Sequence, residues 1–315
     1  MNMNIHIHKM GVKLLNKFLS ANYKDTGVYE YHISMLSGKK ICIDTSIFLY
    51  KFATTQKNLL KKMHKMCNVL KHNNITPVFV FDGKAPDIKK SIIDARKINR
   101  NKAKKEYNEL WLKYKNNMTP RIKKKLQLLT YSSIQISKDD VCKVKRLINL
   151  CGIKYMEAEG EADELCAALV KSKKVYGCMT DDMDMFVYGT KHIYRNFNLE
   201  TLTMTYYNLN IILKQMYMSF DDFTIFCIIS GMDYYDSPHN IFYNYKIYQK
   251  FLKSSNKNYY FWLIHNKYIL DNNLHLLDIK DMFNIKSHTI ISKFNNIHIV
   301  NNKSKINEIN KLLTT

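Results

Sequence analysis

The sequence predicts an α/β fold: a mostly parallel central sheet with flanking helices, a basic helical insertion and a helical C-terminal region. Two observations carry that expectation. Short apolar, β-prone runs each end in an acid: 41–44 closes on Asp44, 77–81 runs into Asp82, and 176–180 discharges into Asp181, Asp182 and Asp184. Between the first two runs lies a stripe of apolar residues at 59, 63, 66 and 70, one face of a helix. Strands joined through helices of this length require right-handed crossovers and therefore parallel pairing. Ligands of such open sheets bind outside the carboxyl ends of the strands, so Asp44, Asp82, Asp182 and Asp184 are expected to converge on one edge.

The elements follow in order. Residues 1–9 form a polar start in which His6 and His8 read as a frayed terminus rather than as metal ligands. An amphipathic pattern begins after Gly11, with Val12, Leu15, Phe18 and Leu19 at helical spacing. Gly38 launches the run to Asp44. The helix over 59–70 carries Lys57, Lys61, Lys62, Lys65 and Lys71 on its other face, usually a merely solvated arrangement that also suits phosphates. Residues 87–131 are the most basic stretch. Within it Lys89, Arg96 and Arg100 fall at i, i+7 and i+11, the two arginines about 20° to either side of the lysine on a helix. Thr119 and Pro120 read as the cap and first turn of a second helix. The stretch has apolar residues enough for helix pairing but not for a core, and is expected to stand above the sheet edge; an ordinary surface helix pair is the plain alternative.

Asp139 or Asp140 is expected to cap a helix that ends at Gly152, followed by a strand over 153–156 and a helix over 165–171. Glu161 and Asp163 follow that strand as the other acids follow theirs. A second β-prone run, 185–188, succeeds the central acids, so Asp182 and Asp184 would project to the same side of extended chain. Next come a strand over 201–207, a capping box at Ser219 and Asp222, an apolar helix over 223–230, and Asp233 just after Gly231. The remainder, rich in Tyr, Asn and Lys, is read as helical.

Lys plus Arg number 49 against 27 Asp plus Glu, a formal charge of +22, and hydrophobic residues make up 46%. That balance excludes a disordered basic tail and points to a polyanion, nucleic acid first. No stretch is uniformly apolar over the ~18 residues a membrane span requires, and the N-terminus shows no apolar segment with a cleavage site. Seven cysteines without a C-x-x-C pair argue for reduced thiols and an intracellular protein. Each acidic site alone reads as turn chemistry or as helix-dipole pairing. Their repetition after strands shifts the reading toward a shared counter-charge, and a hard divalent cation takes oxygen ligands of this kind.

Ile43-Asp44, then Phe81-Asp82-Gly83-Lys84-Ala85-Pro86, then Glu161-Ala162-Asp163 with Cys166-Ala167, then Thr180-Asp181-Asp182-Met183-Asp184, and finally Gly231-Met232-Asp233-Tyr234, in that order, resemble the flap endonuclease/XPG family of structure-specific 5′ nucleases. The likeness runs from about Met10 to Tyr235. It implies a PIN-like fold, with a nuclease domain over 10–235 that includes a helical arch at about 87–131, and a helical DNA-binding extension over 236–315. It also implies that Asp44, Asp82, Glu161, Asp163, Asp182, Asp184 and Asp233 hold two divalent ions, Mg²⁺ with Mn²⁺ as substitute, about 4 Å apart. Lys89 and Arg96 match the family's basic pair acting on the scissile phosphate. Gly11, Tyr50 and Arg100 are the expected DNA contacts, Tyr50 as a stacking face for an unpaired base.

The expected function is Mg²⁺-dependent cleavage of 5′-flap or branched DNA in replication, repair or recombination. An RNA-directed 5′ nuclease and a non-catalytic junction-binding protein are the alternatives. The protein is expected to act as a monomer, in the nucleus or in a viral or cytoplasmic replication compartment. After Tyr235 the family's Gly-x-Gly hairpin is replaced by a glycine-free stretch, so the likeness does not carry over a K⁺ site, and no sliding-clamp box is visible.

Overall fold

The computed structural model describes residues 11–53, 56–84, 90–269, 274–285 and 305–314. In chain order the elements are α1 (Leu15–Asn22), β1 (Val28–His32), β2 (Lys40–Asp44), α2 (Thr45–Phe52), α3 (Gln56–His72), β3 (Thr76–Phe81), α4 (Lys90–Tyr114), α5 (Pro120–Ser132), α6 (Lys138–Leu150) and β4 (Lys154–Glu157). They continue with α7 (Ala162–Lys171), β5 (Gly177–Met179), α8 (Asp184–Val187), β6 (His192–Arg195), β7 (Thr203–Asn208), α9 (Leu209–Met216), α10 (Phe220–Ile229), α11 (Ile241–Leu252), α12 (Tyr259–His265), α13 (Leu274–Met282) and α14 (Ile306–Thr314). His6, His8 and Met10 lie outside the described residues.

The strands form one sheet in the order β1-β7-β6-β5-β2-β3-β4. β2 pairs in parallel with β3 and β5, β3 with β4, and β5 with β6. Only β7 runs the other way, antiparallel to β6 and β1. The chain moves outward from β2 to β3 and β4, then returns to lay β5 on the other side of β2. That reversal puts the carboxyl ends of β2 and β5 next to each other, where an open sheet offers its crevice.

Both faces of the sheet are covered, which is why its parallel strands are apolar on both sides. Cys42, Val78 and Val80 face a core shared with α1, α7 to α13, whereas Ile41, Ile43, Phe79 and Phe81 face one shared with α2, α3, α6 and α14. The stripe Leu59, Met63, Met66 and Leu70 is buried in the second core, leaving Lys61, Lys65 and Lys71 of α3 exposed. Helices α4 and α5 pack on each other with few buried side chains, Ala103 and Leu126 among them, as a helix pair without a core. Thr119 caps α5 with Pro120 in its first turn, as the sequence suggests. Among the described residues no helix is long and apolar enough to cross a membrane.

Three expectations are corrected. The run 185–188 is not a strand: α8 starts at Asp184, and Met185, Phe186 and Val187 are all buried. A short run that is apolar on every side carries no period to separate strand from buried helix. The cap of α6 is Ser137, whose hydroxyl accepts from Asp140 N at 3.0 Å while Asp140 Oδ2 accepts from Ser137 N at 2.9 Å. Asp140 is thus the returning arm of a capping box rather than the cap, and Asp139 pairs with Lys143 at 2.8 Å. Finally, α7 begins at Ala162 and α10 at Phe220, each three residues before the apolar stripe becomes readable.

A candidate acidic metal centre at the carboxyl edge of the sheet

Asp44 is the last residue of β2 and stands at the N-cap of α2. Beside it β5 ends, and Thr180 turns back to donate its hydroxyl to Asp44 Oδ2 at 2.9 Å. The same hydroxyl oxygen accepts from Asp182 N at 3.1 Å, and Asp182 Oδ1 accepts from Asp184 N at 2.9 Å. One ladder of hydrogen bonds therefore fixes Asp44, Asp182 and Asp184 together. Asp182 and Asp184 meet through this turn and the start of α8, not as alternate residues of a strand. Asp163 joins them from the first turn of α7: one carboxylate oxygen from each of Asp163, Asp182 and Asp184 lies within 4.8 Å of the others. All four acids are less than a tenth exposed.

The remaining acids surround this group. Asp82, just past β3, accepts from Ala162 N at 2.8 Å and from the Ser46 hydroxyl, which locks it between the N-termini of α7 and α2. Glu161 is the half-buried N-cap of α7. Asp233, after α10, meets the guanidinium of Arg96 at 3.5 Å, so the base of α4 is drawn to the same edge. Arg100 lies one turn farther along α4 and is half-buried, and Tyr50 on α2 is 37% exposed. Lys89 lies outside the described residues. Gly11 closes the site from the amino-terminal side. Its φ is +84°, and a Cβ built there would stand 2.8 Å from Asp184 Oδ1 and 3.0 Å from Asp182 Oδ1. No larger residue fits that approach without displacing a carboxylate.

The electrostatics follow from the crowding. Burial, with Asp82, Cys178, Asp182 and Asp163 nearby, holds the Asp44 carboxyl well above the usual carboxylate range. Burial first, then Asp163, Asp184, Glu164 and Glu161, pushes the Tyr188 hydroxyl up as well. The positive ends of α2 and α7 face these acids and offset part of the repulsion. A helix end carries only about half a charge, so the centre is left strongly negative. The donor set is all carboxylate, some of it desolvated, with a glycine-sized cradle on one side. That chemistry fits a hard divalent cation and not a thiophilic one.

Several residues that shape the site carry no signal in the sequence. Arg195, 7% exposed on β6, donates to Asp181 O at 2.6 Å and to Asn16 Oδ1 at 2.7 Å, tying the acidic turn to α1. Lys51 reaches Asp181 Oδ2 at 3.5 Å and Phe197 O at 2.9 Å. Only the threonine preceding the central acids hinted at such support, and only because its hydroxyl lies within reach of backbone two residues on.

The chain is similar to known proteins in sequence and in fold. The profile of the XPG N-terminal domain matches residues 10–103, and that of the XPG I-region matches residues 152–233. Flap endonuclease 1 of Encephalitozoon cuniculi is 31% identical over 242 residues, covering 71% of this chain and 68% of that protein. Flap endonuclease 1 of Entamoeba dispar is 30% identical over 247 residues, covering 72% of this chain; the chain spans 63% of that relative's length. The catalytic core of Rad2 in complex with DNA substrate superposes with a TM-score of 0.65 at 19% identity, covering 96% of this chain and 94% of that one, which is a likeness of fold.

Proposed function

Since this chain belongs to the flap endonuclease/XPG family, we propose that it is a divalent-metal-dependent, structure-specific nuclease that hydrolyses phosphodiester bonds in 5′-flap or branched DNA. The observation that carries the reading is the meeting of Asp44, Asp163, Asp182 and Asp184, drawn from three separate elements, at one sheet edge. Asp44, Asp82, Glu161, Asp163, Asp182, Asp184 and Asp233 would hold Mg²⁺ or Mn²⁺, two ions in our reading. When bound, such ions supply the Lewis acidity that in-line phosphodiester hydrolysis needs.

The chain's own groups do the rest. Thr180 and the amide of Ala162 fix the carboxylates that face the substrate. Gly11 lets the backbone approach the carboxylates of Asp182 and Asp184 closely. Arg96, held at the base of the arch by Asp233, would turn donors toward the scissile phosphate, as would Lys89, and stabilise charge developing there. Tyr50 offers a ring for an unpaired base, and Arg100 a phosphate contact. The nuclease domain would span 10–235, with 236–315 contributing to duplex binding, and the protein would work wherever branched DNA is processed.

Cleavage mapping on 5′-labelled flap, nicked, gapped and four-way DNAs with Mg²⁺, alongside matched RNA flaps, tests the proposal. Cutting near the junction of DNA flaps is expected. Asp184→Ala should abolish cleavage while leaving DNA binding largely intact, because that side chain acts in the chemical step. Persistent cleavage by that variant would defeat the assignment, and a preference for RNA flaps would redirect it to an RNA 5′ nuclease.

A further inference from the structure

Directly beneath the carboxylates lies a second group of metal-binding type. The sulfurs of Cys42, Cys166 and Cys178 all lie within 4.8 Å of one another, and each residue is fully buried. Cys42 and Cys178 are register partners on β2 and β5. Each cysteine belongs to an element that also carries the acidic centre. Cys42 is two residues before Asp44 on the same strand face, Cys178 two before the Thr180 that holds Asp44, and Cys166 three after Asp163 on the same helix face. The two strands and one helix that assemble the oxygen layer therefore assemble a sulfur layer below it.

We propose that this thiol triad is a site for a thiophilic divalent ion, of the Zn²⁺ or Cd²⁺ class, distinct from the hard-cation centre above it. Three sulfurs around one ion, each at about 2.3 Å, stand about 4 Å from one another, which the triad's spacing accommodates. Thiolates select such ions over Mg²⁺, whereas carboxylates suit the hard ion. The ion replaces the thiol protons, which leave to solvent. Seated there, it would draw β2 and β5 together and shift Asp44 and Thr180. A trace of soft metal would then silence the acidic centre without competing for its oxygens. This last consequence rests on the nuclease reading; the site itself does not.

The full chain, reduced and kept in excess Mg²⁺ so that the carboxylates are occupied, is titrated with Cd²⁺. Thiolate-to-cadmium charge-transfer absorption and the metal retained after gel filtration are the readouts. One Mg²⁺-resistant Cd²⁺ per chain is expected, with affinity lowered at least roughly 10-fold in Cys166→Ser. Affinity should be unchanged in Cys67→Ser, a buried thiol on the other face of the sheet. Should Cys166→Ser fail to fold, the ¹¹³Cd NMR shift of the wild-type complex decides: a sulfur-rich environment supports the site and an oxygen-only one overturns it. No Mg²⁺-resistant Cd²⁺ in folded wild-type protein, or undiminished binding by folded Cys166→Ser, also overturns it. Because binding is read without cleavage, an inactive protein that still captures Cd²⁺ would sink the nuclease reading and uphold this one. An active protein with no such capture would do the reverse.

Discussion

Gly11 and Asp44 are the residues at which the acidic centre is least tolerant of change. Alanine at position 11 would have to adopt a φ near +84° and place its methyl against the carboxylates of Asp182 and Asp184. The backbone cost alone is about 1–2 kcal/mol. Gly11→Ala is therefore expected to stay folded, melt a few degrees lower, and lose most metal-dependent cleavage; calorimetry and a cleavage assay on one preparation check both. Asp44 has its carboxyl raised by burial and by neighbouring acids, so its folded value lies above its unfolded one. The sign is then fixed. Its contribution to stability is full at pH below the ordinary carboxylate range and is lost as pH rises through the raised value. In chelator at neutral pH, Asp44→Asn should be the more stable protein, with the gap closing as pH falls toward 4. A gap that widens on acidification would contradict the crowding of charge at this site. The acids themselves were legible in sequence because each follows an apolar run. The partners of Thr180, Ser46 and Arg195 were not, because a hydrogen-bond partner 136, 36 or 14 residues away leaves no local trace.

At the scale of elements, legibility tracked periodicity. The buried stripe of α3 has a pattern that one geometry alone satisfies, whereas β2 and β3, apolar on both faces, were read as short β-prone runs ending in an acid. β1, half-exposed at the sheet edge with the sequence Val-Tyr-Glu-Tyr-His, gains its strand character from pairing with β7, a partner absent from any local window. The misreading of α8 has a different origin: burial on every side removes the period that separates a strand from a short helix. α14 is a further case, since Ile309 and Leu312 complete the core against α3 and α6 from the far end of the chain. Caps, by contrast, are local, and the error at α6 was one of placement. Ser137 and Asp140 share three hydrogen bonds there. Ser137→Ala should therefore cost about 1 kcal/mol in denaturant unfolding. Asp139→Ala should cost less, since its partner Lys143 is a solvent-facing pair on the same helix. Equal costs would show that the box does not stabilise the helix end.

For the molecule as a whole, the distribution of charge matters more than its sum. A net +22 is carried by a chain seven of whose 27 acids gather about one sheet edge, so the rest of the surface is more basic than the total suggests. The α4–α5 pair shows this plainly: Lys104, Lys105, Lys123 and Lys124 are exposed on it. A surface of this kind holds phosphates without reading bases, and its grip comes from releasing condensed counterions. Affinity for any duplex or flap should therefore fall linearly on logarithmic axes as salt rises. If six to ten phosphates are engaged, the loss between 50 and 200 mM is about 10³ to 10⁵. Changing Lys104 or Lys124 to Gln should lower that slope by up to about 1 each and weaken all DNA sequences alike. Anisotropy titrations of one flap over a salt series, repeated with a scrambled sequence, measure both quantities. A shallow slope with a strong sequence preference would mean that base edges, and not the phosphate backbone, bring nucleic acid to this protein.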